Sequence, residues 1–218
     1  MLFRSPENFD FMTWRDGRIG GIPVRVFRVS FTGELSYEIN IPATYGLWLW
    51  GEVMEKGAKY GVTPYGTEAM HLLRAEKGFI IVGQETDGTV TPQDLGLGGM
   101  VKKAGDFIGR RSLFRSDTAR DDRKQLVGLL TDEPRIVLME GAQVIGTEAE
   151  SAPPVPMLGH VTSSYFSPNL GRSIAMALVK SGRSRMGERL WVSRRDGAPI
   201  PVTVTGTDFL ALRETAGG

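Results

Sequence analysis

Glu38 is the residue of this sequence whose type and setting best suit ligand chemistry. It follows a Thr32-Gly33-Glu34 turn, on a run where Leu35, Tyr37, Ile39 and Ile41 alternate with Ser36, Glu38 and Asn40. A period of two marks a half-buried strand and puts Glu38 on its polar face. A carboxylate facing a pocket can accept two hydrogen bonds side by side. That geometry suits an amidine-like edge, an N–H beside an exocyclic NH₂, such as a pterin ring carries. A solvated carboxylate on an exposed sheet face is the plainer alternative. Arg74 has a similar pair of readings on a helix, as a surface charge or as a planar fork for a ligand carboxylate. Phe31, Tyr37 and Tyr65 can stack on a flat ring or pack in a core, and spacing leaves both open.

Several other chemistries are excluded. The chain has no cysteine, which removes disulfides, CxxC zinc sites, thiolate nucleophiles and Cys-ligated clusters. With only His71 and His160, no multi-histidine metal site is expected, and no metal is assigned. His71, among Met70, Leu72 and Leu73, reads as a packed or surface residue, and His160 as a strand residue. The loop Gly96-Leu-Gly-Gly99 is not a dinucleotide fingerprint, and neither a phosphate loop nor a GxSxG or HExxH motif occurs. A formal charge of +1, from 26 basic and 25 acidic residues, argues against a nucleic-acid partner. No apolar run approaches the roughly 18 residues of a membrane span. Met1 to Asp10 lacks a signal-peptide pattern, so the expected location is the cytoplasm.

The elements that must position Glu38 and Arg74 follow from periodicity. Residues 1–20 read as a lead-in segment. A strand is expected over Ile22–Phe31, its apolar phase slipping between Val26 and Phe27, and it forms a hairpin with the Glu38 strand. A first helix opens near Thr44, with Tyr45, Leu49 and Val53 four apart. A second starts at Thr63-Pro64 and closes at Gly78, before a short strand over Phe79–Val82. Residues 84–124 are mostly connection, with a charged linker at 115–124. Short β runs follow at 126–130, 143–145, 158–163, 174–179, 189–192 and 200–204, the texture of a small barrel. The expected fold class is α+β. An antiparallel sheet with helices on one face spans 21–114, and an all-β barrel spans 125–218.

Taken together, these segments resemble the glycine-cleavage T-protein family of folate-binding aminomethyltransferases. The matching stretches are Phe31-Thr-Gly-Glu-Leu-Ser-Tyr37-Glu38, Leu73-Arg74-Ala-Glu76-Lys-Gly78 and Thr91-Pro-Gln-Asp-Leu-Gly96-Leu-Gly98. Asp106-Phe-Ile-Gly-Arg110 and Val161-Thr-Ser-Ser-Tyr165-Phe-Ser-Pro-Asn-Leu-Gly171 follow in the same order. The wording is nearest to the sarcosine oxidase alpha-subunit branch, through Thr63–Gln84 and Pro156–Tyr165.

The resemblance implies that 21–114 is the ferredoxin-like half of a folate-binding module. It implies that tetrahydrofolate is the ligand, with Glu38 on the pterin edge and Arg74 further along the folate. Phe31 stands where the family has a tyrosine, so a ring can still stack there but brings no hydroxyl. The family's catalytic aspartate lies in a stretch upstream of this chain, so no catalytic residue is assigned. In such an assembly FAD, FMN and NAD sit elsewhere, partner subunits are expected, and the one-carbon unit from sarcosine passes to the folate. The chain then reads as a fragment, inactive alone. An aminomethyltransferase of glycine cleavage, or a non-catalytic folate-binding regulator, are the other readings.

Overall fold

The computed structural model describes residues 8–101, 105–148 and 154–211. The chain divides into two compact units, residues 1–71 and 72–218. The charged stretch 115–124 falls inside the second of these.

In the first unit, β1 (Trp14–Ile19) pairs antiparallel with β2 (Ile22–Phe27), and β2 with β3 (Glu38–Asn40). The lead-in expectation is therefore corrected, because residues 14–19 form an edge strand. Trp-Arg-Asp-Gly-Arg-Ile hides its period, since polar side chains occupy both phases of a strand that faces solvent. The signal that does mark it is Gly20-Gly21, with φ of +55° and +81°, the backbone a two-residue hairpin requires. A Cβ on Gly20 would also lie 2.7 Å from the Trp48 ring. The β2 ladder stops at Phe27, and residues 28–37 form a longer connection in place of the tight turn expected at 32–34. The Arg28 backbone still exchanges bonds with Met12 and Thr13, just before β1, and its guanidinium donates to the Phe9 carbonyl.

Helix α1 (Gly46–Gly57) forms close to where periodicity puts it. Helix α2 (Thr67–Glu76) starts three residues after Pro64, with Tyr65 and Gly66 left outside. Its C-terminus is closed by Gly78 at φ +72°. The Gly78 N–H donates to Ala75 O and the Phe79 N–H to Arg74 O, the paired bonds of a Schellman cap. The strand expected at Phe79–Val82 does not form. Its backbone is committed to that cap and to the Glu85 carboxylate, which accepts from the Ile81 N–H at 2.8 Å. A single Val82–Thr86 bridge is all the pairing there.

The second unit carries a closed antiparallel barrel. Its strands are β4 (Lys124–Thr131), β5 (Gln143–Ile145), β6 (Gly159–Ser167), β7 (Arg172–Lys180), β8 (Arg189–Val192) and β9 (Ile200–Thr205). Around the barrel their order is β4-β7-β6-β5-β8-β9. Strand β7 is buried on both faces, which explains its unbroken apolar run. Ala175, Ala177 and Val179 pack inside with Val127, Leu129 and Val161. Ile174, Met176 and Leu178 pack outside with Leu126, Phe209 and Ala75 of α2. The α+β class with a terminal all-β barrel is thus the observed architecture.

Close strand approach makes one glycine critical. A Cβ on Gly159 would stand 2.1 Å from Leu178 O, so β6 and β7 would have to part. Gly159→Ala should lower unfolding free energy by about 2–3 kcal/mol. Gly141, at φ +79° with open space around its Cβ position, should cost about 1 kcal/mol on the same change. Urea titrations check the order.

Candidate functional site

The strand register defines the face on which Glu38 sits. Trp14 lies opposite Phe27, and Phe27 opposite Glu38, so the three form one row across the sheet. The adjacent row is Asp16, Arg25 and Asn40. Residues opposed in antiparallel strands share a face, so all six project to the same side. The other side is the core, where Val24 and Val26 pack with Phe9, Ile19 and Ile39. Glu38 is exposed, and Asn40 Nδ2 donates to its Oε1 at 3.1 Å. Asn40 thereby orients the carboxylate while leaving Oε2 to accept from a ligand.

The neighbouring row is also preorganised. Arg25 donates to both Asp16 oxygens, at 2.8 and 3.1 Å, and its guanidinium lies 4.1 Å from the Trp14 ring centre. Asn40, Phe27, Arg25 and Asp16 line an open groove of about 720 Å³. Local periodicity does not single out Trp14, Phe27 or Arg25. The register that brings them to Glu38 depends on β1, whose local pattern is weak.

The aromatic candidates separate. Tyr37 turns its ring toward Phe9, 5.7 Å between centroids, on the core side of the sheet. It therefore lies on the face opposite Glu38, as the alternation of 35–41 puts it. Phe31 and Tyr65 are exposed.

Arg74 is not on an exposed helix face, which corrects that expectation. Its side chain is fully buried, as is that of Glu85, and Nη1 donates to Glu85 Oε2 at 2.9 Å. Nη1 also donates to Phe79 O at 2.9 Å, while Nη2 donates to Ser163 Oγ at 2.6 Å and to Gln84 and Tyr165 at 3.3 Å each. Ser163 in turn donates to Glu85 Oε1. Two residues on, the buried Glu76 carboxylate accepts from Ser167 at 2.5 Å and from Asn169 at 2.9 Å. The Arg74-x-Glu76-x-Gly78 motif and the Val161–Gly171 motif are therefore each other's partners. Gly78 belongs to the same junction, since a Cβ there would meet Thr207 O at 2.6 Å.

A third anchor explains the Thr91-Pro92-Gln93-Asp94 stretch. Asp94 Oδ2 accepts from the Thr91 N–H and hydroxyl, both at 2.8 Å, and Arg123 forks onto the carboxylate at 2.7–3.1 Å. Burial pushes the Asp94 carboxyl up, but Arg123 and the two Thr91 donors outweigh it and hold it below the usual carboxylate range. Among the described residues no cluster of three or more His, Asp or Glu could hold a metal ion, and no helix is long and apolar enough to cross a membrane.

These anchors have measurable consequences. Arg74→Ala leaves Glu85 buried without its counter-charge and should cost about 3–5 kcal/mol. The double change Arg74→Met with Glu85→Gln should cost less than the sum of its parts, as measured by a double-mutant cycle. A folded carboxyl lowered below its unfolded value contributes stability that is complete above about pH 4. Asp94 should therefore stabilise the chain at neutral pH and lose that contribution as pH falls through its folded value. Asp94→Asn should flatten the acid limb of the melting temperature against pH.

Comparison with known proteins matches both parts of the chain to one family. Residues 3–105 match the GCVT N-terminal domain and residues 124–210 the glycine cleavage T-protein C-terminal barrel domain. The chain is 53% identical over 188 residues to the sarcosine oxidase subunit alpha of Corynebacterium sp. strain P-1, covering 85% of this chain and 19% of that protein. It is 51% identical to the strain U-96 counterpart, covering 92% and 21%. An aminomethyltransferase of Cutibacterium acnes is 36% identical, covering 88% and 49%. The chain thus spans about a fifth of those alpha subunits and about half of that aminomethyltransferase. The fold matches the crystal structure of the glycine cleavage system aminomethyltransferase T from Bartonella henselae. The TM-score there is 0.76 at 22% identity, over 94% of this chain and 54% of that one. With both of its domain types present in order, the chain belongs to the glycine-cleavage T-protein family.

Proposed function

We propose that this chain is the tetrahydrofolate-holding module of a sarcosine oxidase-type assembly, with Glu38 on the pterin edge. The Glu38 carboxylate carries the reading. It is exposed, oriented by Asn40, and set in a row with Phe27 and Trp14, next to a groove that Phe27 and Asn40 line. A pterin needs those features, an acceptor for adjacent N–H groups and flat apolar surface beside it. The 53% identity to a sarcosine oxidase alpha subunit, against 36% to an aminomethyltransferase, favours the oxidase branch over glycine cleavage.

In this reading the bound folate accepts the one-carbon unit that oxidative demethylation of sarcosine releases, giving 5,10-methylenetetrahydrofolate. FAD, FMN and NAD, with the oxidation itself, belong to other parts of the assembly and its partner subunits. The chain's own residues bind and orient. Glu38 accepts from the pterin edge, Asn40 fixes the carboxylate, and Phe27, Trp14, Phe31 and Tyr65 offer ring contacts. Arg74 serves as a positioning residue that anchors α2, since its donors are spent on protein partners. No catalytic acid or base is assigned within the chain, so the 218 residues alone should not turn over sarcosine.

Ligand-observed NMR with 5-formyltetrahydrofolate at millimolar concentration tests the site. The chain should bind weakly, and Glu38→Ala should weaken binding by more than tenfold, the equivalent of a charge-assisted bond of about 1.5–3 kcal/mol. Asn40→Ala should weaken it by about threefold, the equivalent of a neutral hydrogen bond near 0.5–1 kcal/mol. Equal affinity for the parent and Glu38→Ala would remove Glu38 from the site.

A further inference from the structure

Outside the Glu38 face, the second unit holds a cavity of about 320 Å³ on the outer surface of the barrel. Its wall is built from β4, β6 and β7. Lys124 lies directly opposite Lys180 in the β4–β7 ladder, and His160 lies opposite Leu178 in the β6–β7 ladder. Directly opposed residues share a face with Cβ atoms roughly 5 Å apart, and like charges so placed are destabilising. Two cationic side chains therefore leave the same outer face beside an imidazole, where their like charges oppose each other across the ladder.

Other charged groups lining the cavity are already engaged. Asp87 accepts from the Thr89 N–H and hydroxyl, both at 2.7 Å. Asp122 receives both arms of Arg120 at 2.7 Å, and Asp117 accepts from Arg123 at 2.8 Å. Arg123 is otherwise held by Asp94. Neither Lys124 nor Lys180 forms an ion pair within 4.0 Å among the described residues, although Asp122 lies close enough to feel Lys180. Burial and the Lys124 charge hold the half-buried His160 below its usual range, with Asp87 pulling weakly the other way. Asp117 and Asp122 are paired with arginines and Asp87 Oδ1 with Thr89, whereas Lys124 and Lys180 form no ion pair among the described residues.

We infer that this cavity is a binding site for a small dianion, held between the Lys124 and Lys180 ammonium groups with His160 as a third donor. A compact tetrahedral oxyanion and a short dicarboxylate share the chemistry required, two negative charges within the span of the opposed lysines. Binding would cancel the cross-strand repulsion and favour the imidazolium, so anion and proton uptake are linked. The site needs nothing from Glu38 and stands independently of the folate reading.

The sequence offers a simple probe, because its only histidines are His71 and His160. Imidazole signals of the 218-residue chain, assigned with His160→Gln, are followed against pH with sodium sulfate, sodium glutarate, or sodium chloride at matched ionic strength. Sulfate, whose charge is constant across the range, or glutarate should raise the His160 midpoint saturably and leave His71 in place. Which of the two does so identifies the anion type. Lys124→Gln and Lys180→Gln remove a repulsion, so both variants should fold. Each should weaken the response roughly fivefold, the scale of a single solvent-accessible charge pair. A His160 shift no larger in sulfate or glutarate than in chloride would overturn the site. So would an undiminished shift in the two lysine variants.

Discussion

The second unit is organised around a cation that has nowhere else to go. Arg74 brings a guanidinium with five donors and no acceptor, and its side chain has no contact with solvent. Left unpaired, such a buried charge costs several kcal/mol, a large share of a domain's net stability. Glu85 supplies the counter-charge, and Phe79 O, Ser163, Gln84 and Tyr165 take further donors. Those partners come from the loop after α2 and from β6. The charge can be satisfied only when helix, loop and barrel are all in place. A buried ion pair is weak evidence for stability in itself, but here its partners lie up to 91 residues apart, which makes it a device for specifying the arrangement.

The same logic explains why glycine stands at the end of α2. Helix and barrel approach so closely that the Gly78 backbone nearly touches Thr207 O, and the helix must reverse there through a positive φ. Only glycine meets both demands without strain. Glu76, just before that reversal, then finds Ser167 at the far end of β6 and Asn169 beyond it. Apolar packing follows the polar anchors, with Ala75 inserted among Ile174, Met176 and Phe209 between the two carboxylate networks.

How much of this is legible in the sequence depends on the range of the interaction. Strands 143–145 and 189–192 occur where local composition puts them, because a β run bounded by turn residues carries its own signal. The face of Glu38 is legible for the same reason, as alternation fixes which way a strand residue points. Alternation does not say what lies opposite. Trp14 and Phe27 reach Glu38 only through a register set by Gly20-Gly21 and an edge strand whose charged residues conceal it. Arg74 shows the limit most sharply. Nothing nearby in the sequence distinguishes a surface arginine from a buried one when the burying partners are Ser163 and Tyr165.

The two units are unequally supported, and this bears on what their sites can do. Inside the barrel, thirteen buried hydrophobics among the described residues form one continuous core. Beneath the Glu38 sheet, among the described residues, only Phe9, Val24 and Val26 are fully buried, with Ile19, Ile39 and Ile41 partly so. A sheet of three strands over so small a core has little stability of its own. Anything that binds its folded form selectively therefore raises its stability by mass action, and raises it proportionately more than it would the barrel's. A ligand gripping Glu38 across the Phe27 and Trp14 row touches all three strands at once. For any such ligand, binding and folding of that sheet would be the same free-energy term, whereas the barrel keeps its shape by apolar packing and carries the opposed Lys124 and Lys180 on its outer wall.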